Sequence, residues 1–216
     1  IIIIIIIIII IIIIIIIKTY LHLFGLSSLE LGHLFVVVCE RYIELEEMGD
    51  DALDCDARIK LSIGTKQLGH DDGQFYFPQG LVFDHHRDLL LVVDCHNNRV
   101  QVFSCDDSDG DGFSFVSKFG EEGRQPGQLL YPVSLAIDHD HDRILVVDSN
   151  NSRVQSWSLS EQSFLSCIGQ QGSGDLEFKY PRGIAIDKHH HRIIIADTSN
   201  HRLVFLSSID LSFLFS

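Results

Sequence analysis

The sequence predicts an all-β architecture of small four-stranded sheets arranged as the blades of a β-propeller. Three observations predict it. A pattern of 28 residues recurs at Phe77, Tyr131 and Tyr180. Each copy divides into short apolar runs separated by turn-forming residues, the composition of strands. A glycine-rich linker leads into each copy, and four antiparallel strands in a repeat of this length make one blade.

The copies read FPQGLVFDHHRDLLLVVDCHNNRVQVFS, YPVSLAIDHDHDRILVVDSNNSRVQSWS and YPRGIAIDKHHHRIIIADTSNHRLVFLS. Pro78, Pro132 and Pro181 lie 54 and 49 residues apart, and Arg99, Arg153 and Arg202 repeat the same steps. The first strand of each blade is expected at Leu81–Asp84, Leu135–Asp138 and Ile184–Asp187. A His/Asp turn follows. The second strand is a continuous apolar run at Leu89–Val93, Ile144–Val147 and Ile193–Ala196, suited to burial on both faces. An Asp-x-x-Asn turn leads to a third strand that opens with arginine. In Arg99-Val100-Gln101-Val102 the alternation predicts a half-exposed strand. Fourth strands are expected at Phe113–Phe119 and Ser163–Ile168, ending on Gly120 and Gly169. The longer first step is an insertion around Ser104–Gly112.

Upstream, Ile63-Gly64 and Gly73-Gln74-Phe75 match the later linkers, so a degenerate blade is expected before Phe77. Its strands would include His33–Val38 and Arg41–Leu45, with a helix over Leu29–Leu45 as the alternative. The chain thus divides into an isoleucine run at 1–17, an undecided segment at 18–57 and a propeller segment at 58–216. Three clear blades and one degenerate blade make an incomplete ring. Such an arc leaves apolar blade faces open, so a longer protein or a partner is expected, with a closed four-bladed ring as the alternative. The internal position of Met48 also points to a piece of a longer chain.

The third copy carries Pro181-Arg182-Gly183-Ile184-Ala185-Ile186-Asp187 and then Ala196-Asp197-Thr198-Ser199-Asn200-His201-Arg202. This pattern resembles the NHL-repeat family. The resemblance covers roughly residues 60–216 and implies blades of a propeller that commonly has six. It also implies a protein-binding role, in relatives often the substrate-recruiting end of ubiquitin-ligase-type proteins. Some relatives bind RNA. The repeated residues Pro78, Asp84, Asp94, Asn98, Arg99, Pro132, Asp138, Asp148, Asn151, Arg153, Pro181, Gly183, Asp187, Asp197, Asn200, His201 and Arg202 read as structural. The aspartates end buried strands and accept backbone N–H groups. The arginines pair with them across the hairpin. The prolines open inner strands, where a missing N–H is tolerated. A catalytic residue is needed once per site, so repetition itself favours structure.

Composition narrows the function. The formal charge is −14, from 16 Lys and Arg against 30 Asp and Glu. That sign opposes phosphate backbones and anionic membranes, which disfavours nucleic acid as a partner. The five cysteines form no C-x-x-C pair. Reduced thiols in a cytoplasmic protein are the expectation. Residues Ile1–Ile17 lack the flanks of a signal peptide. They read as low complexity, and membrane attachment is expected only if this run is a genuine anchor.

Two stretches hold possible metal ligands. The turns Asp84-His85-His86, Asp138-His139-Asp140-His141-Asp142 and His189-His190-His191 should share one rim. Asp107-Ser108-Asp109-Gly110-Asp111-Gly112 matches the first half of a calcium loop. Its twelfth position is Lys118, where a bidentate glutamate belongs. Asp107, Asp109 and Asp111 are therefore candidate Ca²⁺ ligands on a half-motif, and no cofactor is expected. No nucleophile or phosphate-loop motif occurs. Lyases and lactonases with similar six-bladed rings hold Zn²⁺ or Ca²⁺ through residues at the inner-strand starts. Here those starts are Gln79-Gly80, Val133-Ser134 and Arg182-Gly183. The sequence therefore favours a protein-interaction scaffold, with a metal-dependent propeller enzyme and an RNA-binding module as alternatives.

Overall fold

The computed structural model describes residues 34–38, 42–48, 58–64, 68–105 and 113–216. The chain divides into two compact units, Ile1–Phe35 with Glu46–Ile59, and Val36–Leu45 with Lys60–Ser216. The candidate ligands Asp107, Asp109 and Asp111 lie outside the described residues, as does the isoleucine run.

Strands β1 (Leu34–Val38), β2 (Tyr42–Met48) and β3 (Arg58–Gly64) form a three-stranded sheet in chain order. Strand, not helix, is therefore the outcome for Leu34–Val38 and Tyr42–Met48. Blade one consists of β4 (Pro78–Asp84), β5 (Leu89–Asp94), β6 (Arg99–Ser104) and β7 (Ser114–Phe119). Blade two holds β8 (Pro132–Asp138), β9 (Arg143–Asp148), β10 (Arg153–Ser158) and β11 (Phe164–Ile168). Its outgoing linker contains β12 (Gln170–Gln171) and β13 (Glu177–Phe178), a short parallel pair. Blade three holds β14 (Gly183–Asp187), β15 (Arg192–Asp197), β16 (Arg202–Ser207) and β17 (Phe213–Phe215). Every blade is an antiparallel meander in chain order. The first strands of blades one and two begin at the proline, earlier than expected. A register irregularity between Pro78 and Leu81, and between Pro132 and Ser134, absorbs the turn.

Blades stack through apolar faces. The inner strands β4 and β8 lie side by side, as do β8 and β14. Leu91, Val93, Val100, Val102 and Phe119 of blade one pack on Leu135, Ile137, Ile144 and Val146 of blade two. Leu145, Val147 and Val154 of blade two pack on Ile193, Ile195, Val204 and Leu206 of blade three. The whole of β9 is buried, because both of its faces are covered. In β15 buried and half-buried residues alternate, so one face is packed and the other is partly open.

Each linker adds an apolar plug. Phe75, Leu129 and Phe178 are fully buried at equivalent places. Leu129 and Phe178 sit against Gly120 and Gly169, which close the preceding blade at φ +85° and +102°. A Cβ on either glycine would come within 2.5 Å of the plug. These positions need glycine for both conformation and space.

Candidate functional site

Built from the residues upward, the site is a repeated clamp and what that clamp displays. Asp94, Asp148 and Asp197 end the second strands and are fully buried. A 3-10 turn follows each, at Cys95–Asn97, Ser149–Asn151 and Thr198–Asn200. The next residue, Asn98, Ser152 or His201, is left-handed, which turns the chain into the third strand. The arginine opening that strand then faces the aspartate in register. Its Nε donates to Oδ2 at 2.8 Å in Arg99–Asp94, 2.7 Å in Arg153–Asp148 and 2.9 Å in Arg202–Asp197.

The clamp reaches beyond its own hairpin. The Arg153 guanidinium donates to the carbonyls of Arg124, Gln125 and Gln128 in the incoming linker. Arg99 does the same to His70, Asp71 and Gln74. Arg202 reaches Gly174 and Glu177. Asn97, Asn151 and Asn200 donate both to the aspartate and to a linker carbonyl, of Gly69, Gly123 and Gly172 respectively. In blade one this position belongs to Asn97, the asparagine of its Asp-x-x-Asn turn. Asn98 instead accepts from the backbone N–H of Tyr131, joining blade one to blade two.

Gln101 and Gln155 were not anticipated. Both are fully buried, which overturns the expectation of a half-exposed third strand. The amide of Gln155 donates to Asp148 and Gln128 and accepts from the N–H of Gly127. Gln101 makes the equivalent bonds to Asp94, Gln74 and Gly73. A glutamine two residues after the arginine is the trace this leaves in sequence. Blade three has Val204 there, and it is buried in the apolar core.

The clamp's other oxygen sets the display. Oδ1 of Asp94, Asp148 and Asp197 accepts the N–H of Tyr76, Leu130 and Lys179, each at 2.7 Å. The residue that follows is aromatic in every blade: Phe77, Tyr131, Tyr180. All three take left-handed backbone, at φ 53°, 50° and 47°. Next come Pro78, Pro132 and Pro181, all buried. Left-handed backbone before proline is unfavourable for a bulky L-residue. The aspartate on one side and the buried proline on the other hold it there. The ring is turned outward as a result in blades two and three, while Phe77 is half-buried. Tyr131 is 41% exposed and Tyr180 is 50% exposed. At the seam of blades one and two, His96 stacks on Phe77 at 4.5 Å and meets Tyr131 edge-on at 5.0 Å.

The opposite rim carries the turns after the first strands. Asp84 and Asp138 are buried there, while Asp187 is half-buried. Arg143 donates to Asp138, and His141 lies 3.0 Å from it. The same arginine reaches the Ser208 carbonyl of blade three. Leu89 takes this position in blade one, and Arg87 substitutes by pairing with Asp84 and with Asp142 of blade two. His86 and His139 meet across that seam at 4.4 Å. Burial holds the His139 imidazole below its ordinary value; His86, Lys188 and Arg87 push the same way, and Asp84 opposes them. Among the described residues no three His, Cys, Asp or Glu side chains converge as a metal site. Gly183, at a start of the kind that bears ligands in metal-dependent rings, pairs with Ala196. Among the described residues no helix is long and apolar enough to cross a membrane.

Four-stranded meanders, stacked face to face and clamped linker to hairpin, define a β-propeller. A 6-bladed beta-propeller family matches residues 80–168, and the NHL repeat matches residues 178–204. The chain carries an NHL repeat at residues 178–204 on a β-propeller fold. It is 34% identical over 82 residues to Protein brain tumor of Drosophila melanogaster, a match covering 38% of this chain and 7% of that protein. Among solved structures it resembles a chain in the nidogen/laminin complex, with TM-score 0.57, 14% identity, and coverage of 85% of this chain and 60% of that one. It also resembles a protein of unknown function from Desulfotomaculum acetoxidans, with TM-score 0.54, 12% identity, and coverage of 85% and 53%. The chain thus spans only part of each of these proteins, and the structural likeness is one of fold.

Proposed function

We propose that this chain is a protein-interaction module whose working surface is the rim bearing Phe77, Tyr131 and Tyr180. One observation carries the reading. Each blade devotes a buried ionic clamp to holding an aromatic residue in an unfavourable backbone conformation, with the ring exposed in blades two and three and half-buried against His96 in blade one. Packing alone gives no reason for this arrangement, and strain kept at equivalent places suits a recognition surface. Partly exposed aromatics are also the residues that anchor protein interfaces. A rigid scaffold with side chains displayed on its connections is how repeat proteins commonly bind.

Within that reading the chain recruits a protein substrate for a larger, ubiquitin-ligase-type assembly in the cytoplasm. The support is the resemblance of its repeats to those of such proteins. Neither metal nor other cofactor is required for this role. The test is site-specific photo-crosslinking in cells, with the crosslinker placed at Tyr131 on one rim and at His189 on the other. Discrete partner adducts at 131 are expected. Adducts at 189 alone would overturn the assignment of the rim.

A further inference from the structure

We propose that the seam of blades one and two, at Phe77, His96 and Tyr131, receives a cationic, extended peptide segment of the partner. The inference rests on the protein-interaction reading and names the chemistry of the ligand. Three observations carry it.

The first is the ring cluster itself. Phe77 stacks on His96, His96 meets Tyr131, and Tyr76 joins them at 4.8 Å from His96. The cluster crosses from one blade to the next and is only partly covered. Aromatic faces attract ammonium and guanidinium groups.

The second is charge. The linkers entering these two blades carry exposed Asp71, Asp72, Glu121 and Glu122. Against them stand Arg124, Lys118 and Arg182; Lys118 is already paired with Asp72, and the charge of Arg182 reaches Cys95, next to His96. The whole chain carries −14, so a cation is drawn toward it and an anion repelled. Around Tyr180, Lys179 and Arg182 stand beside Asp175 and Glu177. The cationic groups of a ligand are placed over the first seam by its ring cluster, and Tyr180 contributes a single ring contact.

The third is the coupling of strain to display. The backbone at Tyr131 is fixed on both sides, by the Asp148 bond to Leu130 and the Asn98 bond to Tyr131 itself. The ring is thereby held in place before any ligand arrives, which lowers the ordering cost of binding.

The experiment uses the whole chain and fluorescein-labelled twelve-residue peptides matched in length, one rich in Lys and Arg, one neutral and one rich in Glu, beside a single-stranded RNA of equal length. The cationic peptide is expected to bind, with affinity falling as salt rises. Tyr131→Gly is expected to weaken it roughly fivefold, Tyr180→Gly less, and Tyr131→Phe little, because a benzene face survives. Glycine accepts φ near +50°, so the melting temperature of Tyr131→Gly should hold or rise, which separates lost binding from lost folding. Cationic binding unchanged in a folded Tyr131→Gly variant would overturn the proposal, and so would failure of every ligand to bind. Preference for the neutral peptide, the Glu-rich peptide or the RNA, abolished by Tyr131→Gly, would overturn the cationic class while leaving the rim in use. Binding lost only on substitution of His189 would sink the rim reading as well.

Discussion

Arg153 donates from Nε to Asp148 at 2.7 Å, and the pair is buried where the central hairpin of blade two meets the linker that feeds it. Three more of the arginine's N–H groups are spent on linker carbonyls, and the aspartate's other oxygen on the N–H of Leu130. One ion pair therefore ties strand to strand and linker to blade. Removing either partner leaves the other charge buried and unpaired.

Asp148→Ala is accordingly expected to cost roughly 3–5 kcal/mol of stability. The equivalent Asp197→Ala should cost less. Arg202 is more exposed than Arg153, and blade three lacks the glutamine that shares the load. Urea denaturation of the two variants checks the order. Equal losses would show that burial of the arginine does not set the cost.

Gly169→Ala meets two obstacles at once. The backbone is at φ +102°, and the new methyl would lie 2.5 Å from the Phe178 ring and 3.1 Å from the Ser152 carbonyl. A loss of about 1–3 kcal/mol is expected. Gly169→Ala with Phe178→Leu should recover little of it, because Leu129 comes equally close, 2.5 Å, to a Cβ on Gly120 and the backbone strain remains. Thermal melts of the single and double variants measure this.

The His86–His139 seam makes a pH prediction. The folded pKa of His139 is depressed, chiefly by burial, so the unfolded chain binds its proton more readily. The contribution is fully present above about pH 6.5, the unfolded value, and declines as pH falls through the lower folded value. Stability should therefore drop between pH 7 and 5, and His139→Gln should flatten that part of the profile. Histidine titration by NMR gives the folded value directly. A value above the ordinary histidine value of about 6.5 would contradict the assignment.

Cys95 lies buried in the first clamp turn. Burial, and next the Asp94 carboxylate, push its thiol up to about 11, against the weaker pull of Arg182. At pH 7.5 it should react far more slowly with iodoacetamide than exposed Cys167, because the thiolate is the nucleophile. Mass spectrometry of a timed labelling reaction measures the ratio.

The repeat, the strand order within a blade and the Asp–Arg pairing were all legible in the amino-acid sequence. They are local: the arginine follows the aspartate by 5 residues, across a single hairpin. Equivalent positions in three copies then average away accidents of composition. The aspartate's second role was not legible. It accepts from a residue 18 positions earlier, on a linker arriving from the preceding blade. Gln101 looked like the solvent side of an alternating strand for a related reason. Only the linker and the neighbouring blade cover it, and both come from distant sequence.

By itself, then, the sequence determined which residues make strands, where each blade turns and which charges pair within a hairpin, since period and turn chemistry act over a few residues. The tertiary structure alone decided that these charges hold an aromatic ring outward, that His96 bridges Phe77 and Tyr131, and that His86 meets His139. Those relationships depend on how one blade is set against the next. That setting follows from the burial of Leu129 and Phe178 between the blades, not from any local preference of the residues displayed.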